Sequence, residues 1–252
     1  MGTRIDLTVT HGIARITLDG PGTHNALDAD AASALIEACA QIDADPTVGA
    51  AIVTGHGPAF CSGADRQVLN RLRCVPADEA YEGLEGLYAA FRRFGALTVP
   101  TIAAVNGPAV GAGLNLALAA DLRVMATTAV LISGFAEIGL HPGGGHLHVL
   151  ARAGGAGIAA AAGVFARPIT ADHAVAAGLV FAAVPAADLP STATELVAHL
   201  AADPPLARAL AATLRRTVAD PAEWDRAVEI ERARQMWSLA RATSSTRATK
   251  ES

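Results

Sequence analysis

The chain has 252 residues, 52% of them hydrophobic and 17% charged, with a net charge of −5. That suits one globular domain able to bury a full core without disulfides or metals. The acidic balance gives no reason to expect nucleic acid or an anionic membrane as partner.

Cys39, Cys61 and Cys74 share no metal-ligand spacing, which points to reduced thiols and a cytoplasmic location. The start, MGTRIDLTVT, lacks the basic-then-apolar pattern of a secretory signal. The longest apolar stretches are Ala-rich and broken by Gly, Asn and Asp, so no membrane span is expected.

In chain order, residues 4–10 and 12–19 run β-branched or alternate, with His11-Gly12 between them, and predict a β-hairpin. Residues 28–44 predict a helix, with Asp28 or Asp30 as N-cap. A short buried strand is expected at 49–54, followed by the Gly-rich loop GHGPAFCSGAD at 55–65. Residues 78–97 predict an amphipathic helix carrying Glu82 and Glu85. TIAAVNG (101–107) predicts a second strand, GAGLNLALAAD (111–121) a helix with a small-residue start, and LRVMA (122–126) a third strand. Strands alternating with helices imply parallel βαβ pairing, hence an α/β fold. Beyond about residue 150 the pattern is nearly all helix: 151–163, 170–177, 191–202, 205–217 and 221–240. The tail 241–252 has few apolar residues and is expected to fray. The resulting division is a core over 1–190, a helical region over 191–240, and the tail.

Two strand-to-helix loops carry the candidate chemistry. Ser62-Gly63-Ala64-Asp65 follows the strand at 49–54, and Gly111-Ala112-Gly113 opens a helix. Small side chains let a ligand oxygen approach the backbone, and free N–H groups at a helix start favour negative charge. Two such groups converging on one carbonyl oxygen make an oxyanion hole. The same small residues also serve tight strand–helix packing with no ligand at all.

The motifs occur in a familiar order. Asn25-Ala26-Leu27 comes first, then Ala59-Phe60-Cys61-Ser62-Gly63-Ala64-Asp65, then PTIAAVNGPAVGAG (100–113). ADLRV (120–124), PGGG (142–145), a late A-x-x-A-x-x-A-G-L-V near 171–180, and Glu229, Glu231 and Gln235 follow. Together they resemble the crotonase (enoyl-CoA hydratase/isomerase) family from about residue 5 to 240. The resemblance implies a spiral of ββα units with a C-terminal helical trimerisation region, assembling as a homotrimer or hexamer. It implies an acyl-CoA thioester as ligand, its oxygen held by the amides of Ala64 and Ala112, with Ala112 standing where the family usually has glycine. His24, Ala26 and Leu27, Ser62, Gly63, Asp65 and Arg66, and Pro108 and Gly111 are implied to contact CoA. No cofactor is implied, since CoA is part of the substrate.

The resemblance breaks at the acid–base pair. The family's hydratases carry one glutamate two residues after the last glycine of G-G-G, where this chain has Asn115. An amide cannot accept a proton near neutral pH, though it can orient a neighbour. The second glutamate normally sits seven residues before the proline of P-G-x-G-G, which here is Phe135. The carboxylate that some related isomerases place directly after that proline is absent, because Gly143 stands there. In a gapped reading, Glu137-Ile138-Gly139-Leu140 matches the family's E-I-x-L and Glu137 becomes the catalytic acid; in the ungapped reading it is a surface carboxylate. His141, His146 and His148 cluster around the glycine run, and histidine suits acid–base work near neutrality. They lack a Cys or acidic partner at ligand spacing, so no metal site is expected. The expected activity is that of an enoyl-CoA hydratase/isomerase-type enzyme stabilising a thioester enolate. The alternative is a non-catalytic acyl-CoA-binding protein on the same fold.

Overall fold

A computed structural model describes residues 2–218 and 221–248. The chain opens with the hairpin β1 (Arg4–Thr10) and β2 (Ile13–Asp19). His11 and Gly12 both adopt positive φ, 51° and 76°, as a two-residue turn matched to strand twist requires. Next come α1 (Ala29–Ala44), β3 (Ala50–Gly55), α2 (Arg66–Leu72) and α3 (Ala77–Gly95). Asp28 caps α1 by accepting the Ala31 amide at 2.8 Å. Asp65 caps α2, a helix not expected from the residue pattern.

The middle of the chain alternates short elements: β4 (Thr101–Val105), β5 (Ala109–Val110), α4 (Ala112–Ala119), β6 (Leu122–Ala126), β7 (Val130–Ile132) and α5 (His146–Ala159). After it come β8 (Ile169–Thr170), α6 (Ala171–Ala176), β9 (Ala182–Val184), α7 (Leu189–Ala201), α8 (Pro204–Val218) and α9 (Pro221–Ala248). The stretch beyond residue 150 is therefore not all helix. The strands β8 and β9 are two and three residues long, too short to show a period of their own. Helix α9 runs on to Ala248, through most of the segment expected to fray, while 249–252 lie outside the described residues.

Six strands form one sheet in the order β1-β2-β3-β4-β6-β9, parallel except for the opening hairpin. Strands β3 and β4 are buried on both faces, as a parallel sheet covered by helices on each side must be. A second sheet holds β5-β7-β8, and single bridges at Leu27–Ala64 and Cys61–Ala109 extend the same edge. Each pass of the chain thus lays one strand in the large sheet, one short segment in the small one, and then a helix. The passes are β2–Leu27–α1, β3–Ala64–α2, β4–β5–α4 and β6–β7–α5, which is the expected ββα spiral. The helix expected to begin the second region, α7, packs against β2, β3, β4 and β6. Its Ala193 and Val197 belong to the same core as Phe60, Phe91 and Phe94.

By length and composition alone, His146–Val164 could cross a membrane. That stretch is broken by non-helical backbone at Gly155 (φ 81°, ψ 166°), and its first turns are buried against the rest of the fold through His146, Val149 and Leu150. Only its first turns belong to the core.

Candidate functional site

The two loops singled out in the sequence meet. The segment 24–27 forms one wall, fixed by the fully buried Asn25. Its side chain accepts the Gly20 amide at 2.9 Å and donates to the carbonyls of His56 and Ala59 at 2.9 and 2.8 Å. The backbone then interleaves. Leu27 N–H donates to Gly63 (2.7 Å), Asp65 N–H to Leu27 (2.8 Å), and Ser62 N–H to His24 (2.9 Å). Ala26 and Leu27 are consequently buried, while His24 and Arg66 are exposed and Ser62, Asp65 and Pro108 half-buried.

Gly63 locks this unit to the second loop. It adopts φ +90°, and a β-carbon there would lie 2.6 Å from the Val110 oxygen and 3.3 Å from the Ala112 nitrogen. A side chain at Gly113 would collide with the Cys61 carbonyl. The glycines therefore draw the start of α4 directly against the 62–65 turn. Ala112 is the first residue of α4, after Gly111. Among the described residues neither the Ala64 nor the Ala112 amide has an acceptor. For Ala112 that follows from its place in the first turn of a helix. Both residues are half-buried, one in each of the two loops that Gly63 and Gly113 bring together.

One turn further along α4, Asn115 is buried among groups from the chain's second half. Its Nδ2 donates to the Gly143 carbonyl at 3.1 Å. Its Oδ1 lies 2.7 Å from Nδ1 of His146, whose Nε2 lies 2.8 Å from Oγ of Ser133. The Phe135 and His146 rings pack in a T-shaped pair, 4.9 Å between centroids and 66° between planes. Asn115 and Phe135, the two positions that the resemblance assigns to glutamates, thus present an amide and a phenyl ring, and the imidazole of His146 lies against both. Burial pushes the His146 imidazole down to about 3, so it is neutral.

The other titratable residues fall elsewhere. Glu137 is exposed in a 3-10 turn, Ala136–Ile138, which favours the ungapped reading of this segment. His141 is half-buried, its Nδ1 2.7 Å from the Pro142 carbonyl. His148 is half-buried on α5. Glu82 is exposed, and Glu85 pairs with Arg92 at 3.3 Å and with Arg232. Among the described residues no group of three or more His, Cys, Asp or Glu side chains has metal-site geometry.

Sequence reasoning did not foresee two of these groups. Ser133 carried no motif, and Glu231 was noted only as part of a pattern. Glu231 reaches from α9 to the start of α5, where its carboxylate accepts the amides of His146 (2.7 Å) and Leu147 (2.8 Å). Burial raises it to about 7, against the pull of those amides. A groove of about 840 Å³ between α3, α4, α5, α8 and α9 shares no lining residue with the two loops. Most of its charged walls are already paired, as Arg92–Asp225, Arg93–Asp43 and Arg215–Asp121.

Known proteins match along most of the chain. The enoyl-CoA hydratase/isomerase family pattern matches residues 8–251. A probable enoyl-CoA hydratase of Mycobacterium tuberculosis, EchA14, is 43% identical over 221 residues, covering 87% of this chain and 84% of that protein. The 1,2-epoxyphenylacetyl-CoA isomerase of Escherichia coli is 32% identical over 197 residues, 78% of this chain and 75% of that one. The crystal structure of an enoyl-CoA hydratase from Mycobacterium avium subsp. paratuberculosis superposes with a TM-score of 0.81 at 29% identity, covering 93% of each chain.

Proposed function

The chain belongs to the enoyl-CoA hydratase/isomerase family, and from that premise we propose that it binds an acyl-CoA thioester with the carbonyl oxygen between the amides of Ala64 and Ala112. In that position the amides stabilise the enolate formed when an α-proton passes to a base, for which the neutral imidazole of His146 is the buried candidate. The observation that carries this reading is the pair of unengaged N–H groups, held together by Gly63 and Gly113. A preorganised donor of this kind contributes about 3–4 kcal/mol to a transition state bearing an oxyanion. The CoA portion lies along His24–Leu27 and Ser62–Arg66, passing Pro108 and Gly111, and CoA itself brings the only cofactor-like group. The reaction is a proton shift of the isomerase kind rather than hydration by two glutamates, because Asn115 and Phe135 stand where those carboxylates would be.

A second reading, a non-catalytic acyl-CoA-binding protein, is favoured by one observation: burial pushes the His146 imidazole down to about 3, which makes it a weak base, and Asn115 and Ser133 beside it carry no charge. Exchange of α-protons separates the two. A saturated acyl-CoA incubated with the protein in D2O gains deuterium at its α-carbon if an enolate forms, and 3-enoyl-CoA then isomerises. Binding by calorimetry without exchange supports the second reading, and absence of binding rejects both. The proposal includes a homotrimer or hexamer in the cytoplasm, with no nucleic acid or membrane partner. Exposed Leu206, Leu210 and Leu214, four residues apart along α8, support assembly through that helix.

A further inference from the structure

The Ser133–His146–Asn115 chain has a direction. A carbonyl can only accept, so the Gly143 oxygen fixes which end of the Asn115 amide faces it: Nδ2 donates there, and Oδ1 is left to face the imidazole. An amide oxygen can only accept as well, so Nδ1 of His146 carries the ring proton. Nε2 is then a bare lone pair, 2.8 Å from Ser133 Oγ, and the hydroxyl proton points into it. Hydroxyl, base and orienting acceptor are therefore each set in the sense that removes a proton from Ser133. The edge of Phe135 holds the ring in place.

The serine also lies next to the candidate oxyanion loop. Strand β7 runs beside β5 with Val110 paired to Ile132, and Gly111 N–H donates to the Ile132 carbonyl at 3.0 Å. The Ser133 backbone carbonyl oxygen is 3.5 Å from where a Gly111 β-carbon would stand, and Ala112 is the next residue. A satisfied core hydrogen bond needs no such neighbour and no third group fixing its polarity.

We propose that Ser133 is a nucleophile activated by His146, with Asn115 as the positioning residue, and that the protein hydrolyses acyl-CoA thioesters through an acyl-serine. The inference rests on the acyl-CoA reading above. Ser133 Oγ bonds to the thioester carbon as its proton passes to His146 Nε2, and the carbonyl oxygen becomes an oxyanion facing the Ala64 and Ala112 amides. The C–S bond breaks, and the departing CoA thiolate takes the proton from Nε2. Water then attacks the acyl-serine, giving its proton to Nε2; the carbon–Oγ bond breaks and Oγ recovers that proton. The net change is thioester plus water to carboxylic acid plus CoA thiol, with no oxidant or reductant. Asparagine adds no charge to steady the imidazolium, so turnover is slow beside that of carboxylate-based triads.

The test uses saturated acyl-CoA thioesters from four to twelve carbons, with free thiol followed by disulfide-exchange colorimetry and binding measured in parallel by calorimetry. The full-length protein releases thiol, and Ser133→Ala lowers the rate by at least about 100-fold while binding persists. Ser133→Cys keeps a nucleophile beside the same base and retains release. A fluorophosphonate probe labels the parent at the peptide containing Ser133 and leaves Ser133→Ala unlabelled. Binding without thiol release in the parent overturns the hydrolytic proposal and leaves the acyl-CoA reading standing, as does release unchanged in Ser133→Ala. No binding of any CoA ester overturns both.

Discussion

Replacing Glu231 with glutamine tests the centre of this arrangement without reference to any substrate. The carboxyl is buried and receives the amides that begin α5, yet burial dominates and raises it from 4.5 to about 7. A carboxyl whose folded pKa is raised binds a proton more tightly in the folded state. Its contribution to stability is full below pH 4.5 and is lost as the pH rises through about 7. His146 behaves oppositely. Burial lowers it from 6.5 to about 3, so its contribution is full above pH 6.5 and is lost as the pH falls toward 3. Between pH 4.5 and 6.5 the two slopes, each up to about 1.4 kcal/mol per pH unit, oppose one another. Glu231→Gln removes only the carboxyl's share. The gap between 4.5 and about 7 amounts to about 3 kcal/mol. The stability of the variant relative to the parent should therefore improve by that amount as the pH rises from below 4.5 to above 7, whatever the absolute loss from the changed hydrogen bonds. Urea unfolding of both proteins at several pH values in that range gives the difference directly. A difference that stays constant to within about 1 kcal/mol would refute the placement of an ionisable Glu231 in a water-excluded site.

Three further outcomes follow from the site. Ala112→Pro removes one unengaged amide at the first position of α4, where proline suits the helix backbone; α-proton exchange should fall about 100- to 1,000-fold with little change in melting temperature. Asn25→Ala leaves the Gly20 amide and the carbonyls of His56 and Ala59 without their partner, and should cost at least about 2 kcal/mol by denaturant titration while weakening CoA-ester binding through the loosened 24–27 wall. Asn115→Glu should not create a hydratase. It should instead destabilise the protein by about 3 kcal/mol, and appearance of 2-enoyl-CoA hydration, followed by loss of the enoyl absorbance, would contradict that.

Much of the spiral was legible because its signals are local. The His11-Gly12 turn, the Asp28 cap and the runs at 50–55 and 101–105 each declare themselves within a few residues. The short strands did not. β5, β8 and β9 have two or three residues each, and their pairing depends on partners at least 20 residues away. Ambiguity over Glu137 had the same origin. Only the three-dimensional path decides whether residues 135–140 turn a carboxylate inward, and here a 3-10 turn faces it to solvent while Phe135 takes the interior.

The loops at 62–65 and 111–113 could be read from glycine spacing, because the physical demand is local: a positive φ at Gly63 and a close approach at Gly113. What lies behind them could not, since Asn115, Ser133 and His146 come from three separate segments, α4, the loop after β7 and the start of α5. Once assembled, they explain each other. A glutamate at 115 would put a charge against a buried imidazole, and such a pair must recover the large cost of leaving water. The shorter neutral amide satisfies Nδ1 without that cost and lets the ring stay uncharged. A glutamate at 135 would add a second buried charge where Phe135 supplies only an apolar edge. Asn115, Phe135 and His146 therefore form one packed unit in which a single neutral imidazole is matched by an amide and an apolar ring. Restoring one carboxylate cannot rebuild the other half, because the imidazole remains wedged between the two positions.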